Sequence, residues 1–512
     1  MVKVGSRNIS ITDFQNILFD QELVELDQKA VQNVQANFDF LQSYSKDKVI
    51  YGINTGFGPM AQYRVDDEHL QKLQYNLIRS HSSGSGAPFT EELALSTMLC
   101  RLISLMRGYS GINPQLVQLL TDLINKRIGA CIFEHGGVGA SGDLVQLAHL
   151  ALNLIGEGEM LYKGNIITTK DVFEIEGLQP IDVHIREGLA LLNGTSAMTG
   201  VGVVNLIYAQ RLLSRAIMVS VITNELMQSY DDHFSKELNQ VKNHEGQAKV
   251  AEIMRNLLSD SKLIRKRPDH LYNRKINESV FKEKVQEYYS LRCVPQILGP
   301  VYDTLIQAQR VLENEINSVN DNPIVDHKSG NVFHGGNFHG DYISFEMDKI
   351  KIAVAKLSML AERQLNYLLN NNLNQKLTPF VNLGALGLNF GIQGMQFTAT
   401  SNAAENQTLS YPMYLHSIST NNDNQDIVSM GCNAALLTRK VIDNSFEILS
   451  VQIVALVQAI DLLQCHKSIS SFTKAIYDDI RAIIPTFVED EARYKELKAV
   501  KEYLMNRKSL KF

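Results

Sequence analysis

Cysteine is sparse in this chain. Five residues, Cys100, Cys131, Cys293, Cys432 and Cys465, are scattered through 512 positions with no Cys-x-x-Cys pair. That spacing argues against a zinc site or a disulfide frame and leads us to expect reduced thiols in a cytoplasmic protein. Charge of one sign is also scarce. The formal net charge of −6 points neither to nucleic acid nor to an anionic membrane surface. No window forms an unbroken apolar run of membrane-spanning length, and even 448–463 is interrupted by Gln452, Gln458 and Asp461. No apolar stretch of signal-peptide type follows Met1-Val2-Lys3-Val4-Gly5-Ser6-Arg7, so no secretory leader is expected. Internal repeats and low-complexity segments are missing, as are the glycine patterns that cradle nucleotide phosphates.

What is present reads as helix. Apolar residues make up 45% of the chain and charged residues 20%, an ordinary globular balance, and the length alone implies more than one domain. Val301, Leu305, Ala308, Leu312 and Ile316 step by three or four until Asn320-Asp321-Asn322-Pro323 ends the pattern. The segments 346–370 and 436–464 are long and strongly apolar, as expected of helices buried on most sides. Strand signals are short: Lys48-Val49-Ile50-Tyr51, and Gly164-Asn165-Ile166-Ile167 near a turn. The expected fold is mainly α, with small β elements near the N-terminal loops. We divide it at 1–200 and 201–512, with helices continuing across that approximate boundary.

One triplet stands out. Residues 136–143 read Gly-Gly-Val-Gly-Ala-Ser-Gly-Asp, and Ala140-Ser141-Gly142 at their centre can build an electrophile from backbone alone. Attack of the Gly142 nitrogen on the Ala140 carbonyl carbon closes a five-membered ring, and loss of two waters, one from the Ser141 side chain, leaves an exocyclic methylidene. Glycine at 142 has no Cβ to block the attack and reaches unusual backbone angles. Leu144, Leu147, Ala148 and Ala151 then fall on one helix face, with Gly156-Glu157-Gly158 as the stop. The triplet therefore lies at the positive end of a helix dipole.

Other segments carry recognisable chemistry. Tyr51-Gly52-Ile53-Asn54-Thr55-Gly56-Phe57-Gly58 surrounds one tyrosine with glycines. In Tyr288-Tyr289-Ser290-Leu291-Arg292-Cys293-Val294, the arginine sits among apolar neighbours, and its fork matches an α-amino acid's carboxylate. Asn193 follows the apolar run Leu191-Leu192. In His334-Gly335-Gly336-Asn337-Phe338-His339, the histidines stand five apart without a third ligand at suitable spacing, so no metal is expected.

Together these motifs resemble the aromatic amino acid ammonia-lyases, across nearly the whole chain and most of all the bacterial tyrosine ammonia-lyases. The resemblance implies a 4-methylidene-imidazole-5-one group (MIO) formed from Ala140, Ser141 and Gly142, which makes pyridoxal phosphate unnecessary. It implies an elongated helical bundle assembled as a homotetramer with active sites shared between subunits. By the same resemblance Tyr51, in the loop ending at Gly58, is the base, which serves only if nearby dipoles or partners support its anion. Tyr289 assists at the MIO, Asn193 holds the MIO oxygen or substrate, Arg292 anchors the carboxylate, and Phe338 packs nearby. His81 matches the position at which the family reads the substrate ring, apolar in most phenylalanine lyases. Histidine lyases carry a glutamate in the stretch matching Asp423-Asn424-Gln425-Asp426, where this chain has Asn424 and the neutral Gln425. A polar His81 beside a neutral Gln425 favours a ring bearing a hydroxyl, hence L-tyrosine converted to trans-p-coumarate and ammonia. Histidine and phenylalanine ammonia-lyases and an MIO aminomutase stand as alternatives.

Overall fold

A computed structural model describes residues 1–46, 48–273, 279–281, 284–507 and 510. It is mainly helical, as expected, with short strands. The chain packs as two compact units. The first comprises Met1–Ile207, Ala308–Asp348 and Pro412–Arg439, and the second Tyr208–Gln307, Lys349–Tyr411 and Lys440–Phe512. The helices Ser196–Leu226, Val294–Ile316, Asp341–Leu369 and Gly431–Leu463 each contribute residues to both.

In the first unit, helix Glu91–Leu105 is the core: every residue from Leu93 to Leu105 is buried. Helix Leu144–Leu154 starts at the residue the apolar spacing indicates and ends before Gly156, which turns the chain with φ +84°. The strand expected at 165–167 is present, and Glu159–Tyr162 pairs with Asn165–Thr168 as a hairpin; Lys163 (φ +50°) and Gly164 (φ +80°) both take the left-handed turn that suits a two-residue loop. Ser85–Pro88 pairs antiparallel with Phe133–His135, and Ile324–Asp326 with Asn331–Phe333. Residues 48–51 are not a strand. The Asn54 side chain takes their backbone groups, accepting from Ile50 N at 3.0 Å and donating to Lys48 O at 2.6 Å, so the segment curls into a turn.

Helices Ser196–Leu226 and Gly431–Leu463 correct the expectation about long apolar runs, because both are long and apolar enough to cross a bilayer. Of their most apolar windows, 89% and 78% are buried within the protein, as befits core helices. The polar residues that interrupt the second find hydrogen-bond partners inside the second unit. Gln452 donates to Gln364 Oε1 at 2.9 Å, and Asp461 accepts from Arg481 at 2.6 Å and from the Tyr477 and Thr486 hydroxyls. Burial of such side chains is tolerable because each makes at least one hydrogen bond.

Candidate active site

The first unit encloses a cavity of about 670 Å³ lined by residues from segments far apart in sequence. Tyr51 and Gly58 come from the turn after residue 50, and His81 is the last residue of helix Leu70–His81. Ser141 precedes helix Leu144–Leu154, and Asn193 caps the C-terminus of Glu187–Leu192. Phe338 and His334 come from the loop before helix Asp341–Leu369, Asn424 and Gln425 from the loop before Gly431–Leu463. His339 lies beside Asp341, its Nδ1 3.6 Å from the carboxylate.

The triplet is held tightly. Gly142 has φ +74°, and a Cβ there would stand 2.0 Å from the Gly194 carbonyl oxygen, so only glycine fits. Ala140 is buried. The Ser141 carbonyl accepts from Asn193 Nδ2 at 2.8 Å, while its hydroxyl accepts from Gln425 Nε2 at 2.9 Å. Asp143 N donates to Gly194 O at 2.8 Å, closing the turn against the Asn193–Gly194 backbone. A small buried residue, a leaving hydroxyl in hydrogen-bond contact and an unhindered glycine nitrogen, compacted by an opposing strand of backbone, fit formation of an MIO.

Around the triplet lies a buried polar network. Asp143 does not cap its own helix. Its Oδ2 accepts from Met198 N at 2.8 Å, near the start of helix Ser196–Leu226, and burial pushes its carboxyl up to about 7. Arg101 donates from Nη1 to Asn193 O at 2.8 Å, and burial pulls its guanidinium down to about 10. Thr195 Oγ1 donates to Glu315, whose carboxyl is raised by burial, and accepts from Asn320 Nδ2 at 2.8 Å. Asn193 Oδ1 accepts from Asn322 N at 2.7 Å, and Asn322 Oδ1 from Gly335 N at 2.8 Å, which ties the Phe338 loop to the triplet through two asparagines. Arg186 and Asp321, both fully buried, pair at 3.0 Å and fix this segment. Asn322, which lines the cavity, is a site residue the sequence concealed. Within Asn-Asp-Asn-Pro it reads only as a turn.

Tyr51 has its hydroxyl oxygen 3.1 Å from the Gly58 amide, which donates to it. Gly58 is at φ +53°, and a Cβ there would meet Asn421 Nδ2 at 2.7 Å. His81 Nδ1 lies 2.9 Å from the Leu77 carbonyl and 3.1 Å from Ser80 Oγ. A carbonyl only accepts, so Nδ1 carries the hydrogen and Nε2 is the unprotonated nitrogen of the neutral ring.

Tyr289 and Arg292 lie elsewhere. They form the short helix Tyr289–Arg292 in the second unit, with the Arg292 guanidinium carbon 4.7 Å from the Tyr289 ring centroid. Tyr289 is 69% exposed and lines a different cavity, beside Lys284, Glu287, Tyr288 and Tyr367. Leu291 and Val294 are buried and Arg292 half-buried.

Residues 9–482 match the family described as aromatic amino acid lyase, and the chain belongs to that MIO-dependent family of enzymes. It is 38% identical to a tyrosine 2,3-aminomutase of Chondromyces crocatus over 98% of this chain and 96% of the relative. It is 36% identical to a histidine ammonia-lyase of Shouchella clausii over 99% of this chain and 98% of that one. Among solved structures, the tyrosine aminomutase of Streptomyces globisporus superposes with a TM-score of 0.94 at 34% identity, covering 98% of this chain and 96% of that one.

Proposed function

We propose that the protein eliminates ammonia from L-tyrosine to give trans-p-coumarate. The observation carrying this reading is that His81, with its Nδ1–H turned to the Leu77 carbonyl, lines the same cavity as Ser141 and Tyr51. Its Nε2 is then the acceptor available to a phenol hydroxyl. Gln425 is neutral and offers no carboxylate to an imidazolium ring, which disfavours histidine.

Ala140, Ser141 and Gly142 would hold the MIO, which supplies an electrophilic methylidene conjugated with the Ser141 carbonyl, a sink for electrons from the substrate amine. Asn193 Nδ2 donates to that carbonyl oxygen. Tyr51, as phenolate, removes the β-proton and becomes a neutral phenol; the Gly58 amide donates to its oxygen and so supports the negative charge that the oxygen bears before the transfer. Phe338, Leu189 and Leu144 supply apolar walls that keep the ring out of water.

Replacing His81 by Phe tests the ring assignment. The phenol would be buried without a partner, costing about 1–3 kcal/mol, while phenylalanine would gain apolar contact. The tyrosine-to-phenylalanine ratio of kcat/KM should fall by about one to two orders of magnitude. An unchanged ratio means that His81 does not read the ring.

Arg292 and Tyr289 contribute, on this reading, to the site of another subunit of a homotetramer. Ser141→Ala and Arg292→Ala chains, each inactive alone, should then complement when co-expressed. Random pairing would restore about a quarter of the wild-type rate, because one class of site carries both intact residues. No recovery would place both residues in one chain's site. A second reading, tyrosine 2,3-aminomutase, draws support from the relatives of that name, which are 38–39% identical over most of their length. It differs in returning the ammonia to the β-carbon.

A further inference from the structure

We propose that His149 is a positioning residue for substrate choice, fixing the His81 end of the cavity to the helix that follows the MIO triplet. The inference rests on the tyrosine reading and goes beyond it to a residue that does not line the cavity. Helix Leu70–His81 ends at the ring-reading histidine, and residues 82–84 link it to strand Ser85–Pro88. Of the hydrogen bonds described for 82–84, those of Ser82 and Ser83 return to Ile78 and His81. The bond that reaches beyond the local segment is Gly84 N donating to His149 Nε2 at 3.0 Å.

His149 is built into place for that task. It lies on Leu144–Leu154, the helix that begins directly after Ala140-Ser141-Gly142. Its ring meets Phe133 edge-on, with centroids 5.0 Å apart and an interplanar angle of 68°, the edge-to-face arrangement that aromatic pairs favour. The contact with the loop is close. A Cβ on Gly84 would stand 3.0 Å from His149 Nε2 and 3.1 Å from Phe133 Cβ, so any larger residue would have to push these neighbours aside. Burial lowers the affinity of His149 for a second proton, which preserves Nε2 as an acceptor. This imidazole, together with the Arg79–Glu157 ion pair at 2.6 Å, thus helps to set how far the end of the His81 helix stands from the Ser141 helix. A hydrogen bond from His81 to a substrate hydroxyl depends on that separation, whereas apolar contact with an unsubstituted ring depends on it weakly, since hydrogen bonds are directional and dispersion is not.

The test uses the full-length protein with L-tyrosine and L-phenylalanine. His149→Leu removes the acceptor, and the tyrosine-to-phenylalanine ratio of kcat/KM should fall about fivefold or more, phenylalanine staying within about twofold of wild type. His149→Gln, whose amide reaches the Nε2 position, should keep the wild-type ratio, while the shorter His149→Asn should behave like His149→Leu. In a His81→Phe background, His149→Leu should leave the ratio where His81→Phe alone puts it, because the two act through one contact. The same preference can be read without turnover as the calorimetric Kd of p-coumarate against cinnamate on Ser141→Ala protein, with and without His149→Leu. If His149→Leu does not fold, the Gln and Asn variants decide: equal ratios overturn the inference. A uniform loss on both substrates overturns it too. An unchanged ratio in His149→Leu, together with a shifted one in His81→Phe, overturns the role of His149 alone. A ratio that moves in neither defeats the tyrosine reading beneath it.

Discussion

Ser141→Ala protein should fold, bind an aromatic amino acid and lose nearly all turnover. The substitution deletes one oxygen, the one that must leave for a methylidene to form, and keeps the small volume of a half-buried position between buried Ala140 and Gly142, which lies against the Gly194 backbone. The lost hydrogen bond from Gln425 Nε2 involves a half-buried hydroxyl and is worth about 1 kcal/mol, too little to unfold the chain. Intact-mass spectrometry gives an independent reading. Wild-type protein should fall short of its sequence mass by two waters, about 36 Da, while Ser141→Ala cannot form the methylidene and should not show that deficit. Active wild-type protein at its full sequence mass would rule out the MIO.

Tyr51→Phe should lower kcat by about 10²–10⁴-fold, the range general-base removal covers, with Kd for substrate within about twofold. The ring keeps its edge-on contact with Phe57, centroids 6.2 Å apart, so packing is preserved. What disappears is the hydroxyl and the acceptor for the Gly58 amide, which costs stability on the order of 1 kcal/mol. Because the proton transfer sits in the transition state, the loss belongs in kcat. Near-normal kcat in this variant would assign proton removal to another group.

Much of this was legible in the chain because it is local. The spacing of Leu144, Leu147, Ala148 and Ala151 marked a helix that the structure begins at Leu144, and Gly164-Asn165-Ile166-Ile167 marked a short strand beside a turn. Tyr51, His81, Ser141, Asn193, Phe338, Asn424 and Gln425 stood out through family resemblance, and all line one cavity. Long-range pairing left no local trace. Nothing beside Asp143 announces that its carboxylate serves Met198 N, and nothing in Asn-Asp-Asn-Pro shows Asn322 bridging Asn193 to Gly335. The error at 48–51 was a competition between β-propensity and one side chain, which Asn54 won. In the long helix ending at Leu463, polar residues counted as interruptions proved to be buried or half-buried, each with at least one hydrogen-bond partner. Tyr289 and Arg292 were found as a motif, but a motif does not reveal which chain's cavity it serves.

The reaction itself is tested most directly by incubating purified protein with L-tyrosine, L-phenylalanine and L-histidine in parallel, separating the products and following their ultraviolet absorption. Trans-p-coumarate, formed from tyrosine with an equal amount of ammonia and faster than cinnamate or urocanate, is the expected result. Accumulation of 3-amino-3-(4-hydroxyphenyl)propanoate in place of coumarate, or urocanate as the leading product, contradicts it.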